Sequence, residues 1–235
     1  MFINSINIDW NTISKNNYLN TIESIRNIDA LSFNQPITFF VGENGSGKST
    51  LLEAMAIAEG YNPEGGTKNY LFSTYDSHSE LYKAINISRT TKAKWGYYLR
   101  AESFYNVATK EDEYGKAPGG KPLHLHEQSH GESFLTIIQN NFNKPGLYFL
   151  DEPEAALSPQ KQLTLLIELN NCIKQGSQFF IATHSPIILG ISNCEILSFD
   201  GGRIHPCSYE DTSSYKITSM FINNRQQLLN NLFEK

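Results

Sequence analysis

The nine residues Gly42-Glu43-Asn44-Gly45-Ser46-Gly47-Lys48-Ser49-Thr50 follow directly on the apolar stretch Ile37 to Val41, and they constrain this chain more than any other feature. Three glycines let a backbone bend and approach an anion closely, with successive N–H groups turned inward at the opening of a helix. At this spacing Lys48 reaches the β- and γ-phosphates of a nucleoside triphosphate, and the Ser49 hydroxyl ligates Mg2+. Gly42, Glu43, Asn44, Gly45, Ser46, Gly47 and Thr50 complete the cradle. The surroundings agree with this: Ile37-Thr38-Phe39-Phe40-Val41 reads as a buried strand, and Leu51, Leu52 and Met55 share one face of a helix over 51–59. A strand passing into a helix through such a loop predicts an α/β fold built around a nucleotide.

A chain of 235 residues, 40% of them hydrophobic, can bury one substantial core. Its net charge of -5 excludes a surface that is basic throughout, while leaving room for a local basic patch. Cys172, Cys194 and Cys207 are widely spaced and contain no C-x-x-C pair, which reads as a protein of a reducing cytosol. The N-terminus, Met1 to Trp10, lacks a basic segment and alternates apolar with polar residues, so it reads as a strand and not as a signal peptide. No apolar run approaches the roughly eighteen residues needed to span a bilayer.

Further along, 60–80 is rich in Gly, Asn, Ser and Thr and reads as an excursion with little core of its own. Ser77-His78-Ser79-Glu80 has capping-box spacing and predicts a short helix to about Ile87. Trp95–Leu99 reads as a strand, Glu111–Pro122 as a mobile loop and Gly131–Asn141 as a helix. Strands at Leu147–Leu150 and Gln178–Ala182 enclose an amphipathic helix over Pro159–Lys174. Two more strands, 195–199 and 203–206, flank the Asp200-Gly201-Gly202 turn, and a polar helical tail covers 214–233. Strands alternating with helices predict a largely parallel, layered sheet.

In such sheets ligands bind at the carboxyl ends of the strands. The strand Leu147–Leu150 delivers Asp151 and Glu152 to that edge. Asp151 is placed to hold Mg2+ through its water shell, and Glu152 to orient or deprotonate an attacking water. The next strand ends at Thr183-His184-Ser185-Pro186, so His184 stands where an imidazole can meet the γ-phosphate or the water.

Together these residues resemble the ABC-class ATPases, whose motifs run phosphate loop, signature, acid pair, distal loop and switch histidine. The resemblance covers roughly residues 37 to 200. The family's signature reads Leu-Ser-Gly-Gly-Gln or Glu; here Gln128-Ser129-His130-Gly131-Glu132 precedes the acid-pair strand, with Ser129, Gly131 and Glu132 matching and Gln128 and His130 departing. The resemblance implies ATP as nucleotide, Mg2+ as metal, and an ATP-dependent homodimer in which Ser129 and the Gly131 N–H meet the γ-phosphate held by the other copy. The acid pair with Glu154-Ala155 is more similar to the SMC, repair and overcoming-lysogenization-defect ATPases, without their coiled-coil arm. The whole pattern, with Arg100-Ala101-Glu102-Ser103-Phe104, resembles a group of small stand-alone bacterial ATPases.

The fold implied is an ABC-type head with a mainly parallel central sheet, antiparallel N-terminal strands and a helical signature region. One domain over 1–235 is expected, with 60–130 as an inserted helical and loop region and 207–235 as a C-terminal helical tail. Thr50 to Glu127 contains no glutamine, so the Q-loop of transporter subunits has no counterpart in sequence. A soluble, cytoplasmic ATPase acting on DNA or a protein partner is therefore the first expectation, and a transporter subunit or a slow ATP-dependent switch the alternatives. His124, His126 and His130, with Glu127 among them, lack a matching ligand set elsewhere and belong to the signature segment, not to a metal site. Arg100 and Glu102 read as a structural or surface ion pair, and Trp10 and Tyr18 as packing residues in preference to an adenine platform.

Overall fold

The computed structural model describes residues 1–68, 78–115 and 123–233. Its larger sheet has the order β5-β6-β7-β3-β8-β9. The strands are β3 (Ile37–Val41), β5 (Gly96–Arg100), β6 (Leu147–Asp151), β7 (Gln178–Ala182), β8 (Cys194–Ser198) and β9 (His205–Pro206). The first five are parallel, and β9 pairs antiparallel with β8. A smaller antiparallel sheet, β2-β1-β4, is made of β1 (Ile3–Ile8), β2 (Leu31–Ser32) and β4 (Ile85–Arg89).

Both faces of the parallel sheet are covered, which is why its strands are mostly apolar. Alternate side chains divide between two cores. Phe40, Phe149 and Phe180 join α2 (Lys48–Ala58) and the antiparallel sheet on one face. Phe39, Tyr148, Phe179 and Ile181 meet α3 (Phe104–Gly115), α4 (His130–Asn141) and α5 (Pro159–Lys174) on the other. Ring pairs stack across β6 and β7, Tyr148 on Phe179 with centroids 4.9 Å apart and Phe149 on Phe180 at 5.5 Å.

Gln178 joins the two sheets. Its side chain is fully buried at the start of β7, accepts from the N–H groups of Phe2 and Ile3 at 2.7 and 2.9 Å, and donates to the Ile3 carbonyl at 2.9 Å. One amide thus satisfies three backbone groups, the Phe2 N–H just before β1 and both groups of Ile3 at its head.

Several sequence expectations are corrected. Residues 78–87 do not form the expected helix: Ser79 caps a single 3₁₀ turn, Glu80–Lys83, and the chain then runs into β4. The alternation Ile85-Asn86-Ile87-Ser88 is a strand pattern, and pairing with Ile8 and Ile6 of β1 outweighs the cap signal. Among the described residues, the region 60–130 accordingly holds the strands β4 and β5 as well as helix. Tyr61 is buried with its hydroxyl on the Leu147 carbonyl, and Gly66 bridges Tyr98, so the start of the excursion belongs to the core; 69–77 lie outside the described residues. The expected loop at 111–122 is helical as far as Gly115, because Phe104, Val107 and Ala108 bury one face of α3, and 116–122 lie outside the described residues.

Tyr18 is 55% exposed and is not a packing residue, whereas Trp10 is partly buried against the core with the Arg26 guanidinium 4.8 Å from its ring. The C-terminal segment forms α7 (Ser213–Asn223) and α8 (Arg225–Phe233), preceded by the short α6 (Pro186–Leu189) after β7. It is helical, and beside its polar residues it leaves Ile217, Met220, Phe221, Ile222, Leu232 and Phe233 exposed.

Replacing Gln178 by Leu fills the same space and leaves those backbone groups of Phe2 and Ile3 without the amide. Chemical denaturation should show a loss of about 3 kcal/mol, within the range for stranded buried polar groups. A loss near zero would mean that β1 is held by β2 and β4 alone.

Candidate functional site

The loop after β3 reaches α2 through Gly47, whose φ of 98° lies in the left-handed region. A Cβ there would stand 2.8 Å from Ile22 and Ile25 side-chain carbons, so glycine is required both by conformation and by close approach. Ile22 immediately precedes α1 (Glu23–Arg26) and Ile25 lies within it, and this short helix braces the loop; the Ser24 hydroxyl donates to the Ser46 carbonyl. On the other side Asp200, in the β8–β9 turn, accepts from the Glu43 N–H at 2.8 Å.

Lys48 opens α2 with its ammonium folded back on the loop, donating to the carbonyls of Gly42 at 2.7 Å and Glu43 at 2.9 Å. Burial pulls its pKa below the ordinary value, while Glu152, Asp200, Asp151 and Glu154 act in the opposite direction. The next residue, Ser49, donates to Asp151 Oδ1 at 2.8 Å. Asp151 is 7% exposed at the end of β6, and burial raises its pKa to about 6 against the lowering effects of Ser49 and Arg100.

Glu152 follows with φ and ψ both 50°, a left-handed conformation that a side chain rarely adopts. Its N–H still donates to Ala182, continuing the β6–β7 ladder at 2.9 Å, so the reversal turns an exposed carboxylate out at the strand end. His184, beyond β7, is held through its N–H by Glu154 Oε1 at 2.5 Å, while Oε2 of the same carboxylate accepts from Thr183 at 2.7 Å. The imidazole Nε2 is buried without a hydrogen-bond partner, as is the Ser46 hydroxyl.

This set fits a nucleoside triphosphate and a hard divalent cation. A hydroxyl and a carboxylate stand together as oxygen donors, an ammonium sits at the loop, the loop N–H groups open a helix, and two buried polar atoms lack partners. The loop, Asp151, Glu152 and His184 are therefore brought to one edge of the sheet.

Ser129, Gly131 and Glu132 are assembled separately. Ser129 precedes α4, and the Glu132 carboxylate accepts from its N–H at 3.0 Å and from its hydroxyl, which holds the Glu132 pKa below the ordinary range. Lys161 of α5 reaches the Ser129 hydroxyl at 3.5 Å. A Cβ on Gly131 would stand 2.8 Å from the Ala156 carbonyl, so glycine lets α4 close on the segment after the acid pair. The three nearby histidines take different partners: His124 meets Glu127, His126 meets Thr109, and His130 packs edge-on against Phe104.

Glu154, Asp200 and Glu53 were not legible as site residues. Each is an ordinary acid in sequence, and its partner lies at least 26 residues away. Arg100 and Glu102 do form the expected ion pair, at 3.2 Å, and they do so beside Ser49, Asp151 and Glu152.

The fold and this site define a P-loop nucleotide-binding protein of the ABC class. A family model described as AAA domain matches residues 18–178, and the chain belongs to that family of P-loop ATPases. It is 30% identical over 181 residues to a Bacillus thuringiensis subsp. konkukian protein assigned as an ABC transporter ATP-binding protein, covering 70% of this chain and 32% of that one. It is 27% identical over 175 residues to the phosphate import ATP-binding protein PstB 1 of Vibrio vulnificus, covering 63% and 64%. The chain thus spans about a third of the Bacillus relative and just under two thirds of the Vibrio one. The SMC head domain from Thermotoga maritima aligns with a TM-score of 0.49 at 15% identity, covering 88% of this chain and all of that one. Among the described residues no helix is long and apolar enough to cross a membrane.

The raised pKa of Asp151 has a definite sign. A carboxyl that titrates near 6 when folded and near 3.8 when unconstrained destabilises the metal-free fold above pH 6, and that cost disappears as pH falls through 6 toward 4. Asp151→Asn should therefore melt higher than the parent at pH 8 without Mg2+ or nucleotide, by at most about 3 kcal/mol, with a smaller difference at pH 5. A variant less stable than the parent at pH 8 would contradict this.

Proposed function

We propose that this chain binds ATP with Mg2+ and hydrolyses it as a head-to-tail pair, each copy giving its phosphate loop to one site and its signature to the other. The observation that carries the reading is the 2.8 Å contact of Ser49 with Asp151 next to Lys48, which collects hydroxyl, carboxylate and ammonium at the head of α2. Mg2+, when bound by Ser49 and Asp151, supplies charge neutralisation to the phosphates. Lys48 exchanges its loop carbonyls for phosphate oxygens, and the N–H groups of Gly45 to Ser49 hold the rest of the polyphosphate. Glu152 orients the attacking water and takes up its proton at the carboxylate, and His184 meets the γ-phosphate or that water through Nε2.

Ser129, Gly131 and Glu132 complete the other copy's site in this reading. In support, among the described residues their hydrogen bonds run to one another, to Ser133 and to Lys161, and none runs to their own phosphate loop. A two-fold pair of this kind is closed and self-complementary. The unpaired cysteines support a cytoplasmic setting. Work on nucleic acid or a protein partner is the first role. A transporter subunit is the second, favoured by the names of relatives such as the phosphate import protein. The missing glutamine between Thr50 and Glu127 favours the first.

Glu152→Gln should keep ATP affinity while turnover falls by about a hundredfold or more. Undiminished turnover would remove Glu152 from the role. Ser129→Arg should bind ATP as a monomer yet fail to form the ATP-dependent dimer seen by light scattering in the Glu152→Gln protein. Turnover measured with and without DNA, beside a test of co-purification with a polytopic membrane protein, separates the two roles.

A further inference from the structure

Ser49 and Glu53 lie one turn apart on α2, and both lead to the same place. Ser49 donates to one oxygen of Asp151 at 2.8 Å. The other oxygen of Asp151 is 3.9 Å from Nε of Arg100. Arg100 in turn donates through Nη1 to Glu53 at 2.8 Å and to the Pro63 carbonyl at 3.2 Å, and through Nη2 to Glu102 at 3.2 Å. The four side chains therefore close a ring, Ser49 to Asp151 to Arg100 to Glu53, which leaves α2 and returns to it.

The backbone reinforces the ring. Arg100 and Asp151 are register partners on β5 and β6, and the Ala101 N–H donates to the Asp151 carbonyl at 3.1 Å. Arg100 Nε is buried and has no hydrogen-bond partner, and it is the guanidinium nitrogen that stands 3.9 Å from the Asp151 carboxylate. Arg100, Glu102 and Asp151 line a cavity of about 440 Å3 together with Ser49 and Glu152.

We propose that Arg100 is a positioning residue for Asp151: anchored on Glu53, it fixes the carboxylate so that the oxygen beside Ser49 stays turned to the metal position. The proposal rests on the nucleotide reading above. A planar fork with donors in fixed directions can hold Glu53, Glu102 and Asp151 at once, whereas an ammonium on a flexible stem supplies the charge without the geometry. Residues that orient metal ligands typically change metal affinity by about tenfold or more when they are altered. A simple ion pair serving the burial of Glu53 would need only the charge.

The test uses Arg100→Lys, which keeps the charge, in a Glu152→Gln background, and reads the binding of a fluorescent ATP analogue as Mg2+ is titrated. Orientation of Asp151 by the fork predicts a Mg2+ midpoint raised about tenfold, with the metal-free affinity for the analogue within about twofold of the parent. Glu53→Ala, which removes the acceptor at the far end of the guanidinium without touching Asp151, should shift the midpoint in the same direction. An unmoved midpoint in Arg100→Lys overturns the proposal, and so does an equal loss of affinity with and without Mg2+, which would mark a structural role only. If the analogue fails to bind the parent at all, the nucleotide reading fails and takes this role with it.

Discussion

Arg100, Asp151, Ala182 and Phe40 stand in one hydrogen-bonded row across β5, β6, β7 and β3, and the placement of the site follows from that register. Parallel strands in a common register end at a common level, so the chain leaves the sheet at the same edge each time. Four different groups are delivered there by four strands: the phosphate loop, the acid pair, the histidine and the arginine. A slip of one residue in any ladder would turn Asp151 to the other face of the sheet and Leu150 into its place. The register is held by the cores on both faces, where alternate aromatic residues stack across β6 and β7.

The edge so formed is electrostatically demanding. Glu53, Asp151, Glu152, Glu154 and Asp200 surround Lys48 and Arg100, and much of this charge is buried. Each acid other than Glu152 has a neighbour that holds it: a backbone N–H for Asp200 and Glu154, Ser49 for Asp151, Arg100 for Glu53. Glu152 instead takes a strained backbone and an exposed side chain. Strain and exposure together suit a group that must face a ligand and exchange a proton with it.

The elements legible in sequence were those whose pattern is local. Strands buried on both faces appear as apolar runs, and α4 and α5 carry helical spacing that tertiary contacts have no reason to override. The misses have a common cause. The strand β4 is recognisable only beside β1, Tyr61 enters the core because the Leu147 carbonyl needs a donor, and α3 buries one face on α4 and the sheet while its other face is charged. The tail leaves six large apolar residues exposed among its polar ones, which its composition alone does not announce. In the site, the phosphate loop and acid pair were readable because their spacing is itself the chemistry. The clamp of Glu154 on His184, the hold of Asp200 on the loop and the link from Arg100 to Glu53 were not, since each joins acids and bases with no fixed separation.

By itself, then, the sequence determined that a nucleotide-binding loop stands between a buried strand and a helix, that two acids end a second strand, and that the chain belongs with ABC-class ATPases. Those properties reside in short segments, where backbone freedom, hydrophobic period and side-chain chemistry act over a few residues. Only the tertiary structure decided which oxygen of Asp151 faces Ser49, which acid restrains His184, and that Arg100 stands in the site instead of on the surface. These depend on strand order and register, which are settled by how two cores pack against one sheet and leave no trace in the spacing of the residues concerned.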